Sequence, residues 1–326
     1  MSPRSGPARR RSRSSTSRRS TTRPPSCGWR CGVPRPPTSC QTRSSCAPRG
    51  GSEPGLGERT PGRAGGAPGG ALSRAEGRRS RAESPWSRGG APGVKVAIHQ
   101  PHYLPWLGYL AKWAAADCLI FLDTVQFEKN GWQNRNRIKT KDGPQWLTVP
   151  VHRARATTIR DVLIDAGQPW PRRHAQAVRL AYARSAYVDE YGARLAELVA
   201  SPWTTLTPLA IATATFLAEA FGVRTPTRLA SELGPTRDDP TLRLVDLTRA
   251  VGGDTYLAGR DTAAYARLEA FREAGMTVRR QAYTHPVYAQ LHGEFVPFLS
   301  ALDLLLMCGP AGLEILRGGD AYVACV

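Results

Sequence analysis

Lysine is absent from the first 94 residues of this 326-residue chain, and aliphatic side chains are nearly so. What remains there is mostly Arg, Ser, Pro and Gly, which bury too little apolar surface to offset chain entropy, so the segment is expected to be disordered. Its 19 arginines face 4 acidic residues, a balance of +15 out of the formal +19, and the other 232 residues carry +4. Strong basicity is thus confined to a tail. A non-catalytic, nucleic-acid-binding role would rest on that arm, and the folded remainder is not expected to bind nucleic acid. Arg, Gly, Pro and Ala without Lys is also the composition of GC-rich sequence read from too early a start. On that reading a bacterial chain begins near Val94.

Long apolar runs are missing too. Nothing approaches the ~18 to 20 apolar residues that cross a bilayer, and the amino terminus has no apolar core of a signal peptide, so a cytoplasmic protein is expected. Four of the seven cysteines (Cys27, Cys31, Cys40 and Cys46) lie in the tail without a metal-site pattern around them. The others, Cys118, Cys308 and Cys325, are dispersed and expected to be reduced thiols. No serine or cysteine sits in a nucleophile elbow, which favours direct transfer over a covalent acyl-enzyme. No cofactor is required by any motif.

What the chain does have is concentrated between Lys95 and Lys139. Val96-Ala97-Ile98 and Leu119 to Leu122 are continuous apolar runs, as strands covered on both faces of a parallel sheet require. Between them Leu107, Leu110, Ala111 and Ala114 mark one face of a helix. Pro101 and Pro105 keep the chain extended just past the first strand. The polar cluster His99 to Tyr109 therefore falls at the carboxyl edge of the sheet, where open α/β folds bind ligands.

Further along, Gln145 to Val151 and Ile159 to Ile164 read as strands. Pro171 to Tyr182, Val188 to Ala200 and Pro208 to Phe221 read as helices, the last capped by Thr207 and closed by Gly222. Pro240 to Val251 is a helix, Thr255 to Ala258 a strand, Ala263 to Ala274 a helix, Thr277 to Tyr283 a strand and Leu299 to Met307 a last helix. The expected architecture is one α/β domain over residues 95–326: an open, mostly parallel, Rossmann-like sheet with a helical middle segment.

Chemistry is expected from three groups. His99 and His102 are placed to take a proton from an attacking amine or hydroxyl, and structural support of the proline loop is the alternative. Arg135 and Arg137 share one face of an extended segment and suit phosphate or carboxylate. Asn134 and Asn136, on the other face, would orient a carbonyl or pin the loop. Asp123 ends the second strand as a catalytic candidate, partnered by Arg135 or His99, with Mg²⁺ open as a ligand. Trp106, Tyr109 and Trp132 offer aromatic walls, while Trp146 is assigned to the core and Lys139 to the surface. Gly259, before a helix, is an anion position by geometry, and His285 and Gln290 either close the site or anchor a loop.

Several motifs resemble the WbqC-like protein family. They are His99-Gln100-Pro101-x-Tyr103-Leu104-Pro105-Trp106-Leu107-Gly108-Tyr109, Phe121-Leu122-Asp123-x-Val125-Gln126-Phe127, Trp132-Gln133-Asn134-Arg135-Asn136-Arg137-Ile138-Lys139 and Gln145-Trp146-Leu147-x-Val149-Pro150. Asp254 to Gly259, His285 to Gln290 and Phe295 to Leu305 extend the likeness. The resemblance implies a cytoplasmic biosynthetic role beside O-antigen, surface-polysaccharide or specialised-metabolite genes. Acyl or aminoacyl transfer onto an amine is the reaction expected, with a small phosphate-bearing substrate or carrier-bound acyl donor. It also brings Gln100, Tyr103 and Gln126 into the binding site. A weaker resemblance, to the layout of HxGH nucleotidyltransferases, puts Trp106 and Tyr109 at the histidine positions and makes nucleotidyl transfer the competing expectation.

Overall fold

The computed structural model describes residues 93–152, 157–260, 262 and 266–325. The tail, and every expectation attached to it, lies outside these residues. The chain opens with β1 (Lys95–His99), α1 (Leu107–Ala115) and β2 (Cys118–Phe121), the expected strand, helix and strand. β3 (Arg135–Thr140) and β4 (Gly143–Thr148) then form an antiparallel ribbon, and β5 (Val151–His152) pairs with β6 (Leu163–Ile164). The helical middle is α2 (Trp170–Ala181), α3 (Ala193–Ala200) and α4 (Leu206–Ala220). After it come β7 (Thr227–Leu229), α5 (Pro240–Ala250), β8 (Thr255–Ala258), α6 (Leu268–Glu273) and β9 (Thr277–Gln281). The chain finishes with α7 (Ala301–Cys308), α8 (Gly312–Gly318) and β10 (Tyr322–Ala324).

The central sheet has the order β10-β9-β8-β1-β2-β7 and is parallel except for β10, which runs antiparallel to β9 at the edge. Both faces are covered. Ala97, Leu119, Phe121 and Leu257 point into the core shared with α1, α4, α7 and α8, whereas Val96, Ile98, Ile120, Tyr256 and Val278 face α5 and α6. Because β1 leads to β2 over one face and β8 leads to β9 over the other, the chain diverges between β1 and β8. That boundary is the topological switch point, where the carboxyl ends of parallel strands leave a crevice.

Local expectations differ from the structure where short-range signals compete. Ile159 to Ile164 is not one strand but a 3₁₀ turn, Ile159–Asp161, followed by two strand residues, because Ile159 N bonds Val125 O instead of continuing a ladder. The helix expected from Pro208 starts at Leu206 with Thr205, not Thr207, at its amino cap; Pro208 still falls in the first turn, where no backbone donor is needed. Val188 to Gly192 is wound as a π-type turn before α3. Of the helix expected from Ala263, Leu268–Glu273 is described as helical, and residues 263–265 lie outside the described set.

Asp303, on α7, anchors the helical side. It is fully buried and accepts hydrogen bonds from Tyr182 Oη (2.7 Å), Tyr288 Oη (2.9 Å) and Gln290 Nε2 (2.9 Å). Burial pushes its carboxyl above the usual carboxylate range against these donors. Three donors lose their acceptor in Asp303→Ala, so this variant is expected to lose ~3 kcal/mol or more of unfolding free energy and Tyr288→Phe only ~1 kcal/mol. Urea unfolding checks both, and equal small losses would show the network to be dispensable.

Candidate functional site

The loop between β1 and α1 carries the first candidates. It leaves the sheet through Pro101, and Leu104 then adopts a left-handed backbone (φ 47°) although it has a bulky side chain. Two groups hold this turn: Leu104 N donates to Thr213 Oγ1 at 3.2 Å, and Asn136 Nδ2 donates to Leu104 O at 2.6 Å. Asn134 Nδ2 likewise donates to Val149 O at 2.8 Å. Both asparagines therefore pin backbone, one of the two roles expected of them.

The loop brings His99, His102 and Tyr109 into one ring cluster, with centroids 4.6 Å apart for the two imidazoles and 4.3 and 5.3 Å for each with Tyr109. His99 Nδ1 lies 3.1 Å from Gln100 O, a carbonyl, so Nδ1 carries the proton and Nε2 keeps its lone pair. Nδ1 of His102 is buried without a partner among the described residues. Tyr109 Oη donates to Gln100 O at 3.3 Å, and Gln100 Oε1 accepts from Gln133 Nε2 at 2.8 Å.

Beneath the rings lies a residue that sequence reasoning missed. Lys112 is 3 % exposed, and its ammonium donates to Ile98 O at 3.3 Å. Among the described residues no carboxylate lies within ion-pair reach of it. The signal was available: α1 is apolar or small at every other position, and Leu107 to Trp113 are all buried, so its single lysine had nowhere to go but inward. Burial lowers its pKa to about 8. Burial, together with the Lys112 charge, depresses His102 to about 3 and His99 well below the ordinary imidazole value, so both rings are uncharged at neutral pH. Gly259 meets this group from β8: a Cβ there would stand 3.9 Å from Lys112 Nζ and 3.8 Å from Thr262 Oγ1. The cluster thus lies at the β1/β8 switch point.

Other candidates lie elsewhere. Asp123 is buried, but its partner is neither Arg135 nor His99; Ser231 N and Oγ donate to its two oxygens at 3.0 and 2.6 Å, bracing β2 against the turn after β7. With both oxygens so used, Asp123 is a poor Mg²⁺ ligand, and among the described residues no group of three His, Cys, Asp or Glu is placed to hold a metal. Tyr103 is fully buried and spends its hydroxyl on His174 Nδ1 at 2.9 Å, so it offers a ligand no surface. Gln290 is clamped between Asp303 and Val296, the loop-anchoring role. Gln126 is exposed and forms a backbone bridge with Thr158. Trp106 packs edge-on against Tyr283 at 5.5 Å, with Phe298 5.8 Å away. His285 lies 5.2 Å from the same Phe298, and its Nε2 is buried without a partner among the described residues.

The arginines share a face as expected. The guanidinium of Arg135 lies 4.2 Å from the Trp146 ring centroid and that of Arg137 5.5 Å. Trp146 is 41 % exposed, not core, because it pairs with Arg137 across the ribbon and so points outward with it. Lys139 is the converse: expected at the surface, it is 2 % exposed, its ammonium donating to the carbonyls of Gly293 and Glu294.

A profile of the WbqC-like protein family matches residues 100–315. An uncharacterised protein of Mycobacterium tuberculosis is 35 % identical over 228 residues, 68 % of this chain and 97 % of that protein. No solved structure matches the chain. Among the described residues no helix is long and apolar enough to cross a membrane.

An unfolded histidine titrates near pH 6.5. Between there and about pH 3 the unfolded state binds the proton that folded His102 refuses, so stability falls as pH drops through this window. Replacing His102 by Asn is expected to flatten that fall by up to ~1.4 kcal/mol per pH unit. Urea unfolding of both proteins from pH 6.5 to 5 measures the difference, and identical slopes would mean that His102 protonates freely in the folded protein.

Proposed function

The chain belongs to the WbqC-like protein family, and on that premise we propose that it is a cytoplasmic transferase moving an acyl or aminoacyl group onto an amine. The acceptor is a sugar nucleotide or metabolite intermediate of polysaccharide or specialised-metabolite biosynthesis. One observation carries this reading: two uncharged, touching imidazoles stand over a buried ammonium without an ion-pair partner among the described residues, at the switch point of a parallel sheet.

In the proposed step the neutral amine attacks the carbonyl carbon of an activated acyl donor and forms the new C–N bond. The carbonyl electron pair moves to oxygen, and Lys112 supplies the positive charge that the oxyanion requires. Nε2 of His99, or the free nitrogen of His102, takes the proton that nitrogen sheds. The bond to the leaving group then breaks, the leaving group keeps the electron pair, and the imidazolium returns the proton to it. Burial and, after it, the Lys112 charge lower imidazole basicity; a substrate anion acts on the rings with the opposite sign, so the pair becomes a stronger base once substrate is bound.

Nucleotidyl transfer is the second reading, favoured by the sheet order around β1 and by the packing of both imidazoles on Tyr109, which stands where that layout has a histidine. It predicts Mg²⁺-dependent release of pyrophosphate from a nucleoside triphosphate.

Thermal-shift screening with acyl-coenzyme A, sugar nucleotides and nucleoside triphosphates finds the donor, since a ligand at a hundred times its Kd adds ~2.7 kcal/mol. With that donor, His99→Gln, His102→Asn and Lys112→Met are each expected to lower kcat/KM by ~10²- to 10⁴-fold. Product is followed by mass spectrometry. Near-wild-type rates in both histidine variants reject the acid–base assignment, and pyrophosphate as the product selects the second reading.

A further inference from the structure

The outer face of the β3–β4 ribbon plays no part in the proton transfers above. Alternation turns Asn136, Ile138 and Leu147 inward, none more than 2 % exposed. It turns Arg135, Arg137 and Trp146 outward, and Trp132 leans on them: the two indoles are 40 and 41 % exposed, with centroids 5.4 Å apart.

Each arginine donates to a carbonyl, Arg135 to Asn130 O at 2.5 Å and Arg137 to Phe298 O at 3.3 Å. Nε of both is buried with no acceptor, and neither has an ion-pair partner, among the described residues. Two guanidinium groups side by side, with no carboxylate between them among the described residues, repel each other alone and are favoured once phosphate oxygens bridge their exposed nitrogens. Beside Arg135 lies a cavity of about 250 Å³, lined by Phe127, Asn130, Asn134, Thr148 and Gln168.

We infer that this face binds the nucleotide portion of a small phosphate-bearing donor, the base stacking on the exposed indoles and the phosphates bridging Arg135 and Arg137. A polymer is the poorer fit, because two arginines do not make a backbone track and the chain beyond residue 94 carries only +4. The ribbon is tied to the histidine loop by Gln133 to Gln100, Tyr103 N to Gln133 O and Asn136 to Leu104. A donor held here by its nucleotide end would direct its reactive end along that loop; this orientation, unlike the binding itself, rests on the transferase reading.

Isothermal titration of the full-length protein with ADP, GDP, CDP and UDP, and with pyrophosphate and adenosine as half-ligands, tests the assignment. At least one diphosphate is expected to bind, more tightly than either half-ligand. Its affinity is expected to drop roughly tenfold or more in Trp146→Leu and in the Arg135→Gln/Arg137→Gln double variant. Wild type and variants share the arginine-rich tail, so the difference reports the ribbon alone, and unchanged melting temperatures confirm that these substitutions on the ribbon's outer face leave the fold intact. Equal affinity in wild type and double variant, no binding by any diphosphate, or pyrophosphate binding as tightly as the diphosphate overturns the inference. So does a decanucleotide RNA that binds through the ribbon far more tightly than any diphosphate, with steep salt dependence. His99→Gln and His102→Asn are expected to keep nucleotide affinity, so near-wild-type transfer by both variants with binding retained would sink the acid–base reading of the proposed function and leave this site standing.

Discussion

Leu104 holds a backbone conformation that raises the energy of a leucine by ~1–3 kcal/mol, and Asn136 and Thr213 keep it there. Much of the site depends on that clamp. It fixes where the chain turns from the loop after β1 into α1, whose Tyr109 packs on both imidazoles and whose Lys112 lies one turn further along the helix. The clamp also joins elements far apart in the chain, since Asn136 belongs to the β3–β4 ribbon and Thr213 to α4. A strained turn at the end of a central strand, held from two sides, is a construction that ordinary folding stability does not call for.

Electrostatics at the switch point follow from burial. An ammonium withdrawn from water, with no carboxylate partner among the described residues, is held only weakly in its charged form, and burial, aided by that charge, keeps the nearby imidazoles neutral. The three groups form one coupled set that an anion would stabilise. Carboxylates, by contrast, serve the framework: Asp123 braces β2 through Ser231, and Asp303 gathers Tyr182, Tyr288 and Gln290 around α7. Among the described residues this separation leaves the crevice cationic and proton-accepting, in keeping with anionic ligands.

Much of the framework was legible because it is written in short-range pattern. Continuous apolar runs mark β1 and β2 as strands buried on both faces, and the alternation of Arg and Asn in β3 separates an outward from an inward face. The run Thr255 to Ala258 coincides with β8, and Pro240 marks the start of α5. The errors arose where sequence distance hides contact. Asp123 finds Ser231, 108 positions away, and Tyr103 finds His174, 71 positions away, so neither could be excluded from the site by its neighbours in the chain.

The sequence alone determined an α/β chain with a polar loop at the carboxyl edge of its first strand, because hydrophobic periodicity and proline act over a few residues. Tertiary structure alone decided which of that loop's residues meet. It turned Lys112 inward beneath the histidines, brought Gly259 beside it from β8, buried Lys139 and exposed Trp146. The physical reason is that burial depends on what packs against a residue, and the packing partners come from strands and helices remote in sequence.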